Sequence, residues 1–228
     1  MVTNLLSGMN LQVYYSRSGS AVSGHFEREY LALMPPGIHE LILRYKRWQD
    51  RQATLFGKLL LLRALQRKSY DTGLQKLHSL AVTRDGKPFI PGGPAFNISH
   101  SVDMVVLAVI SSGAVGIDIE KIRPVDMADY SRYLPEVANL PEEYDADRVN
   151  HLFFDCWTQK EAVLKGCGKG LLAPMEEVII KEGTALFNET TWFIKKLRID
   201  GRYCCHVATD QVLEHVAVEN VNLMNGVL

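Results

Sequence analysis

Part of the chain is a repeat of another part. Trp48-Gln49-Asp50-Arg51-Gln52-Ala53-Thr54-Leu55-Phe56-Gly57 aligns without a gap on Trp157-Thr158-Gln159-Lys160-Glu161-Ala162-Val163-Leu164-Lys165-Gly166. Trp, Ala, Leu and Gly are identical, and Arg51 with Lys160 and Gln52 with Glu161 fall in register. Both stretches carry helical spacing, and in each half segments of strand character follow the helix. A duplicated unit of this kind predicts an α+β fold with α/β-type halves. The halves form a pseudo-dimer of two similar subdomains, each a small, mostly antiparallel sheet packed with a long helix. A length of 228 residues admits one large domain or two small ones. Ser111-Ser112-Gly113 is the best-placed linker, dividing 1–112 from 113–228.

The repeat is informative where it fails. Gln52 stands where the second copy has Glu161, and Phe56 where it has Lys165. Charge is present in one copy only, so any metal centre belongs to the second half. The first half is then free to bind the rest of a ligand in the cleft between them. In the second copy Trp157, Lys160, Glu161, Leu164 and Lys165 fall at i, i+3, i+4, i+7 and i+8, on one helix face. Gly166, Gly168 and Gly170 follow at once. Two readings are open: an exposed Glu–Lys pair worth a few tenths of a kcal/mol, or a helix that ends beside a ligand its glycines let approach.

The remaining elements follow from pattern. Leu11–Tyr15 reads as a strand and 40–65 as one long helix, with Leu41, Tyr45, Trp48, Leu55, Leu59 and Leu62 as its buried stripe. Arg44, Arg47, Arg51 and Lys58 recur on a neighbouring face, as either a solvated row or a phosphate clamp. Lys87 projects from the turn Arg84-Asp85-Gly86-Lys87-Pro88. Met104–Ile110 is a buried strand by its Val/Ile content. Val115–Glu120 alternates strictly, which puts Val115, Ile117 and Ile119 inside and Asp118 and Glu120 together on the other face. Two carboxylates that close need a cation between them or water around both. Helices are expected over 126–134 and 142–165, and strands over 178–181, 192–199 and 203–208, with Asp200-Gly201 as a hairpin turn.

Composition excludes several classes. Net charge is −1, so no global field advertises a nucleic acid or a membrane as partner. Four cysteines without a CxxC spacing argue against zinc and a disulfide framework. Cys204 and Cys205 are adjacent, and on a strand they point to opposite faces as small buried hydrophobes. The first residues lack a signal-peptide pattern and no apolar run reaches membrane-spanning length, so a cytoplasmic location is expected.

Three blocks stand in order: FNISHS at Phe96–Ser101, VGIDIEKIRP at Val115–Pro124, and FFDCWTQKEAVLKGCGKGL at Phe153–Leu171. In letters and in spacing the set resembles the signature of the Sfp-type 4′-phosphopantetheinyl transferases. The likeness extends to the Gly86-Lys87-Pro88 turn and the long first helix, and covers most of the chain. It implies a pseudo-dimer with coenzyme A in the cleft. The activity it implies is transfer of the 4′-phosphopantetheine arm to a serine of an apo acyl or peptidyl carrier protein, giving the holo-carrier and adenosine 3′,5′-bisphosphate.

Carried over by position, the resemblance makes Asp118, Glu120 and Glu161 the ligands of Mg2+ and Glu161 the general base, directly or through a metal-bound water. Lys165 then lies against the pyrophosphate and stabilises charge during transfer. Ser99, His100 and Lys87 correspond to coenzyme A contacts, with Lys160 assisting or pairing with an acid across the cleft. Some relatives place lysines before the first helix for the 3′-phosphate; here Ile38 and Leu41 stand near those positions, and Arg47 and Arg51, with Arg44, are the replacements. Trp157 is expected to pack rather than touch ligand. One chain supplies both sides of the cleft, so a monomer suffices. The alternatives are a non-catalytic module that binds coenzyme A or a carrier protein, which has little reason to keep the full acid set, and a magnesium-dependent phosphohydrolase.

Overall fold

In the computed structural model, which describes residues 9–66, 70–138, 140–141, 143–169 and 173–225, four layers stack in the order helix, sheet, sheet, helix. The first half runs β1 (Met9–Arg17), α1 (Gly24–Leu31), α2 (Pro36–Arg44), α3 (Trp48–Leu65), α4 (Tyr70–His78), β2 (Ala81–Val82), β3 (Pro88–Phe89), β4 (Ala95–Ser101) and β5 (Met104–Ile110). The second runs β6 (Val115–Lys121), α5 (Pro135–Ala138), α6 (Ala146–Cys167), β7 (Ile179–Lys181), β8 (Thr184–Phe187), β9 (Thr190–Lys196), β10 (Tyr203–Thr209) and β11 (Leu213–Asn220). One sheet has the order β11-β1-β5-β4 and the other β6-β10-β9-β8-β7, while β2 and β3 form a small hairpin. Every pairing is antiparallel except β1 with β11. The mixed α+β expectation therefore holds. The last strand crosses back to the sheet of β1, so the two sheets interlock rather than divide at the linker.

Strand alternation makes the layers. On β5, Val105 and Leu107 face α3, while Met104, Val106, Ala108 and Ile110 face the second sheet. Ile117, Ile119, Cys205 and Val207 meet them from the other side, and Cys204 and Ala208 turn outward under α6. Cys204 and Cys205 thus occupy opposite faces, and burial pushes the Cys204 thiol up to about 11, which leaves it an inert hydrophobe.

The long helix expected over 40–65 is two helices. Tyr45 and Arg47 adopt extended backbone, with ψ of 127° and 132°, and the chain turns there. Ile42 rather than Leu41 enters the core; Leu41, Tyr45 and Trp48, assigned to the buried stripe, are exposed. No glycine or proline marks the break. The helix expected over 126–134 is one 3-10 turn at Met127–Asp129, followed by α5. Pro135 disfavours helical backbone at Leu134, and Asp126 spends its side chain on the N–H of Ala128, at 3.0 Å. Of the helix expected from Glu142, α6 begins at Ala146, where Asp145 accepts from the Arg148 N–H at 2.7 Å; Glu142, Gly170 and Leu171 lie outside the described residues. Strands β4, β8 and β11 had no counterpart in the sequence reading.

His206 joins α6 to β10. Thr158 Oγ1 lies 2.7 Å from Phe154 O and 2.8 Å from His206 Nδ1, a contact that ties the helix to the strand. Burial pushes the histidine down from 6.5 to about 4, against the opposing pull of Asp155. Between those values the unfolded chain takes up a proton that the folded chain refuses, so stability is lost as pH falls. The loss expected from this group is on the order of 3 kcal/mol, at about 1.4 kcal/mol per pKa unit. Urea unfolding of the wild type and of His206→Gln at several pH values checks it: the slope between pH 6.5 and 4 should flatten in the variant.

Candidate active site

The site forms where β6 meets β4 and α6. β6 is the edge of its sheet, so its N–H groups on the side facing β4 need partners from outside. Side chains of β4 supply them. Ile117 N–H donates to Asn97 Oδ1 at 2.9 Å, Ile119 N–H to Ser99 Oγ at 3.4 Å and Lys121 N–H to Ser101 Oγ at 3.2 Å. The two serines then hand their own protons to the acids between these positions. Ser99 Oγ donates to Asp118 Oδ1 at 2.8 Å and Ser101 Oγ to Glu120 Oε2 at 2.7 Å. The Asn-x-Ser-x-Ser spacing is thus a seam between the halves, in register with the alternation of β6. That function was missed in the sequence, although the matching period of two at 97, 99, 101 and 117, 119, 121 was there to be read.

A close backbone approach brings α6 onto this seam. A Cβ on Gly116 would lie 2.0 Å from Ala162 O and 2.3 Å from Gly166 N, so only glycine lets the helix settle at this depth. Gly168 closes α6 in the left-handed region, at φ 80°. Glu161 is 7% exposed and Asp118 2%. Lys165 Nζ donates to Asp118 Oδ1 at 2.5 Å and to Ser99 Oγ at 3.1 Å. The weak Glu161–Lys165 surface pair is thereby excluded: both groups turn into the seam.

The charges are out of balance. Burial pushes the Glu161 carboxyl up, opposed by Lys165 and reinforced by Asp118 and Glu120. Burial likewise raises Glu120, against its bond to Ser101. Burial alone would lower Lys165, but the Asp118 carboxylate outweighs it and holds the ammonium above its ordinary value. One ammonium thus serves three acids. Asp118 Oδ2 is buried with no hydrogen-bond partner, an acceptor that costs free energy unless something reaches it. Among the described residues no group of three or more His, Cys, Asp or Glu is placed to hold a metal ion; in this arrangement the lysine sits among the acids. An unpartnered carboxylate oxygen and two acids disfavoured by burial nonetheless match what a hard, oxygen-seeking cation requires.

The other expected residues lie at different distances from this centre. His100 points away from Ser99 on β4 and is exposed; the protein crowding its ring and the Lys165 ammonium push it below its ordinary pKa, with Asp50 opposing. Lys87 crosses from the β2–β3 turn to the second half, donating to Gly166 O at 2.6 Å and Val115 O at 3.2 Å. Arg47 is exposed at the start of α3, and Arg51 faces Glu27 of α1 at 3.3 Å. Burial pushes Lys58 of the same row down to about 8. Lys160 is fully buried and pairs with Glu136 Oε1 at 2.8 Å. Gln52, the counterpart of Glu161, staples the loop after β1: it donates to Ser18 O and Ser20 O at 3.2 and 2.7 Å and accepts from the Val22 N–H at 2.9 Å. Phe56, the counterpart of Lys165, is in the core.

Two cavities reach this centre from different directions. One, of about 170 Å³, is lined by Asp85, Lys87, Asn97, Lys165 and Gly168. The other, of about 480 Å³, lies over α6 between Arg132–Tyr133 and Ala173–Glu176, with Trp157, Glu161 and Leu164 as its floor. Trp157 is packed as expected, stacked on Phe153 and edge-on to Tyr130.

Two α+β halves with buried acids and lysines at their seam define a protein with a charged site between its halves. A family model described as the 4′-phosphopantetheinyl transferase superfamily matches residues 114–216, and one described as 4′-phosphopantetheinyl transferase, N-terminal, matches 24–112. The chain is 31% identical over 175 residues to a 4′-phosphopantetheinyl transferase of Bacillus subtilis, covering 75% of this chain and 76% of that one. It is 31% identical over 188 residues to the 4′-phosphopantetheinyl transferase psf-1 of Bacillus pumilus, with 77% and 79% covered. With the 4′-phosphopantetheinyl transferase AcpT of Salmonella typhimurium it shares 32% over 164 residues, with 69% and 74% covered. The chain belongs to the 4′-phosphopantetheinyl transferase family.

Proposed function

We propose that this chain transfers the 4′-phosphopantetheine arm of coenzyme A to a serine of an apo carrier protein, in a magnesium-dependent reaction. The observation that carries the reading is Asp118, a buried carboxylate with one oxygen held by Lys165 and Ser99 and the other without a partner. Asp118, Glu120 and Glu161 would hold the Mg2+, which when bound polarises the pyrophosphate oxygens and offsets the acids' mutual repulsion. The chain's own groups carry the proton and the charge. Glu161 takes the proton of the serine hydroxyl as its oxygen bonds to the phosphorus nearer the pantetheine. The bond from that phosphorus to the bridging oxygen breaks, and the electron pair leaves with adenosine 3′,5′-bisphosphate. Lys165 stabilises the charge that develops there. Ser99 orients Asp118 and Lys165 together; Lys87, His100, Arg47 and Arg51 are the candidates for the nucleotide phosphates.

A monomer suffices, because both halves of one chain build the seam. A cytoplasmic site of action agrees with four free cysteines, and among the described residues no helix is long and apolar enough to cross a membrane. The test is to incubate the protein with Mg2+, coenzyme A and a panel of apo carriers and weigh the carriers by mass spectrometry. At least one carrier should gain the phosphopantetheine arm, and EDTA should stop the gain. Coenzyme A binding with no carrier modified would favour the non-catalytic reading, and transfer unaffected by EDTA would remove the metal.

A further inference from the structure

One wall of the larger cavity is formed by Arg132 and Tyr133 of the segment 127–138; Leu134 and Val137 bury this segment in the core beside α6, and two further contacts join it to the helix. At one end Tyr130 packs edge-on against Phe153 and Trp157, with ring centroids 5.1 and 5.6 Å apart. At the other, Lys160 Nζ meets Glu136 Oε1 at 2.8 Å and Tyr133 O at 3.5 Å. Arg132 and Tyr133 line the same cavity as Glu161. Lys160 and Glu161 are neighbours in sequence, so successive positions on α6 hold the wall and face the space beneath it.

The two members of the pair are not equivalent. The Lys160 side chain is 0% exposed, whereas that of Glu136 is 46% exposed. A charge withdrawn completely from water for a single acid partner is costly unless that contact does something the fold needs. An apolar residue would fill the same space without holding Glu136 or Tyr133 O. The ammonium's contacts with Glu136 and Tyr133 O are with the wall, and Lys160 does not line the smaller, lysine-lined cavity.

We propose that Lys160 is a positioning residue for the acceptor side of the site: it fixes the 127–138 wall so that the groove ending at Glu161 admits the serine to be modified. This rests on the transferase reading. The division of the cavities supports the acceptor side. The smaller cavity carries the lysines Lys87 and Lys165, which suit the anionic nucleotide end of the donor. The larger one, with Trp157, Leu164, Pro174 and Met175 beside Glu161, suits a protein chain that brings a neutral hydroxyl to the base.

Lys160→Met, Lys160→Arg and Glu136→Gln test it, with two readouts. In steady-state assays Lys160→Met should lower kcat/KM for the carrier roughly tenfold to a hundredfold, the scale of a misplacement near 1 Å, while the KM for coenzyme A stays within about twofold of wild type on the same scale. Lys160→Arg should recover part of the loss. Lys160→Met combined with Glu136→Gln should be no worse than Lys160→Met alone, because the pair acts as a unit. A raised KM for coenzyme A with the carrier KM unchanged, or no change in either, overturns the proposal. Hydrogen exchange provides the readout that does not depend on transfer: amides of 127–138 should exchange faster in Lys160→Met, with β6 and β10 unchanged. Protection of 127–138 equal to wild type overturns the clamp even if no carrier is ever modified, whereas a wild type that modifies no carrier counts against the transferase reading alone.

Discussion

Glu161→Gln should reduce transfer by roughly a thousandfold, within the range that general acid–base catalysis supplies, and should leave the protein folded and at least as heat-stable as the wild type. Glutamine keeps the size and shape of the side chain but has no basic oxygen for the serine proton and no charge to hold a cation. The stability half follows from burial. The Glu161 carboxyl is pushed up because the folded chain withdraws it from water and places it near Asp118 and Glu120. An acid whose folded pKa lies above its unfolded value makes the protein less stable as pH rises through that interval. At neutral pH the charge is therefore a burden on the fold, and the amide removes it. Single-turnover transfer and a thermal melt on the same preparation check both halves. Turnover near that of wild type would take Glu161 out of the mechanism, and a large drop in melting temperature would make it a structural residue.

Functional groups held at the expense of the fold leave a trace in sequence only when there is a copy to compare. Gln52 and Glu161 are in register, and the first is a hydrogen-bond hub for 18–22 while the second is a buried acid at the seam. Sequence comparison alone singled out Glu161 as a departure from the shared pattern, because the matched stretch supplies its own control. The strict alternation of Val115–Glu120 likewise showed which face was acidic, and β6 carries Asp118 and Glu120 on the side of α6.

Other features were illegible for physical reasons. Leu41, Tyr45, Trp48 and Leu55 keep helical spacing through the break at 45–47, so the pattern cannot report that Tyr45 and Arg47 are extended. The parallel pairing of β11 with β1 is a contact between the two ends of the chain, and no local signal encodes it. The resemblance left Lys160 either assisting at the ligand or pairing with an acid across the cleft, since residue type and helix face are all that a motif registers. Its complete burial and its partner Glu136 depend on where α5 lies, and the helix expected over 126–134 was the segment that the sequence rendered least well.

Gly116→Ala should be the most damaging single change outside the acid cluster. Its new Cβ would meet Ala162 O at 2.0 Å, Gly166 N at 2.3 Å and Gly166 Cα at 2.8 Å. All three are backbone atoms of α6, so no side chain can swing aside and the helix itself must retreat by more than 1 Å to restore ordinary contact, with overpacking costs of about 3 kcal/mol or more. For a chain of this size that corresponds to a fall in melting temperature of roughly 6–12 °C. The same retreat carries Glu161 and Lys165 away from β6, stretching the 2.5 Å contact of Lys165 with Asp118 and the 2.6 Å contact of Lys87 with Gly166 O. Transfer should therefore fall by roughly a hundredfold in whatever fraction remains folded. Gly37→Ala is the control: its Cβ would have nothing within 4 Å and it lies in a helix, where alanine is favoured, so stability and rate should hold. Normal melting and normal transfer in Gly116→Ala would show that β6 and α6 do not approach this closely, and with that the geometry joining the four charged groups would fail.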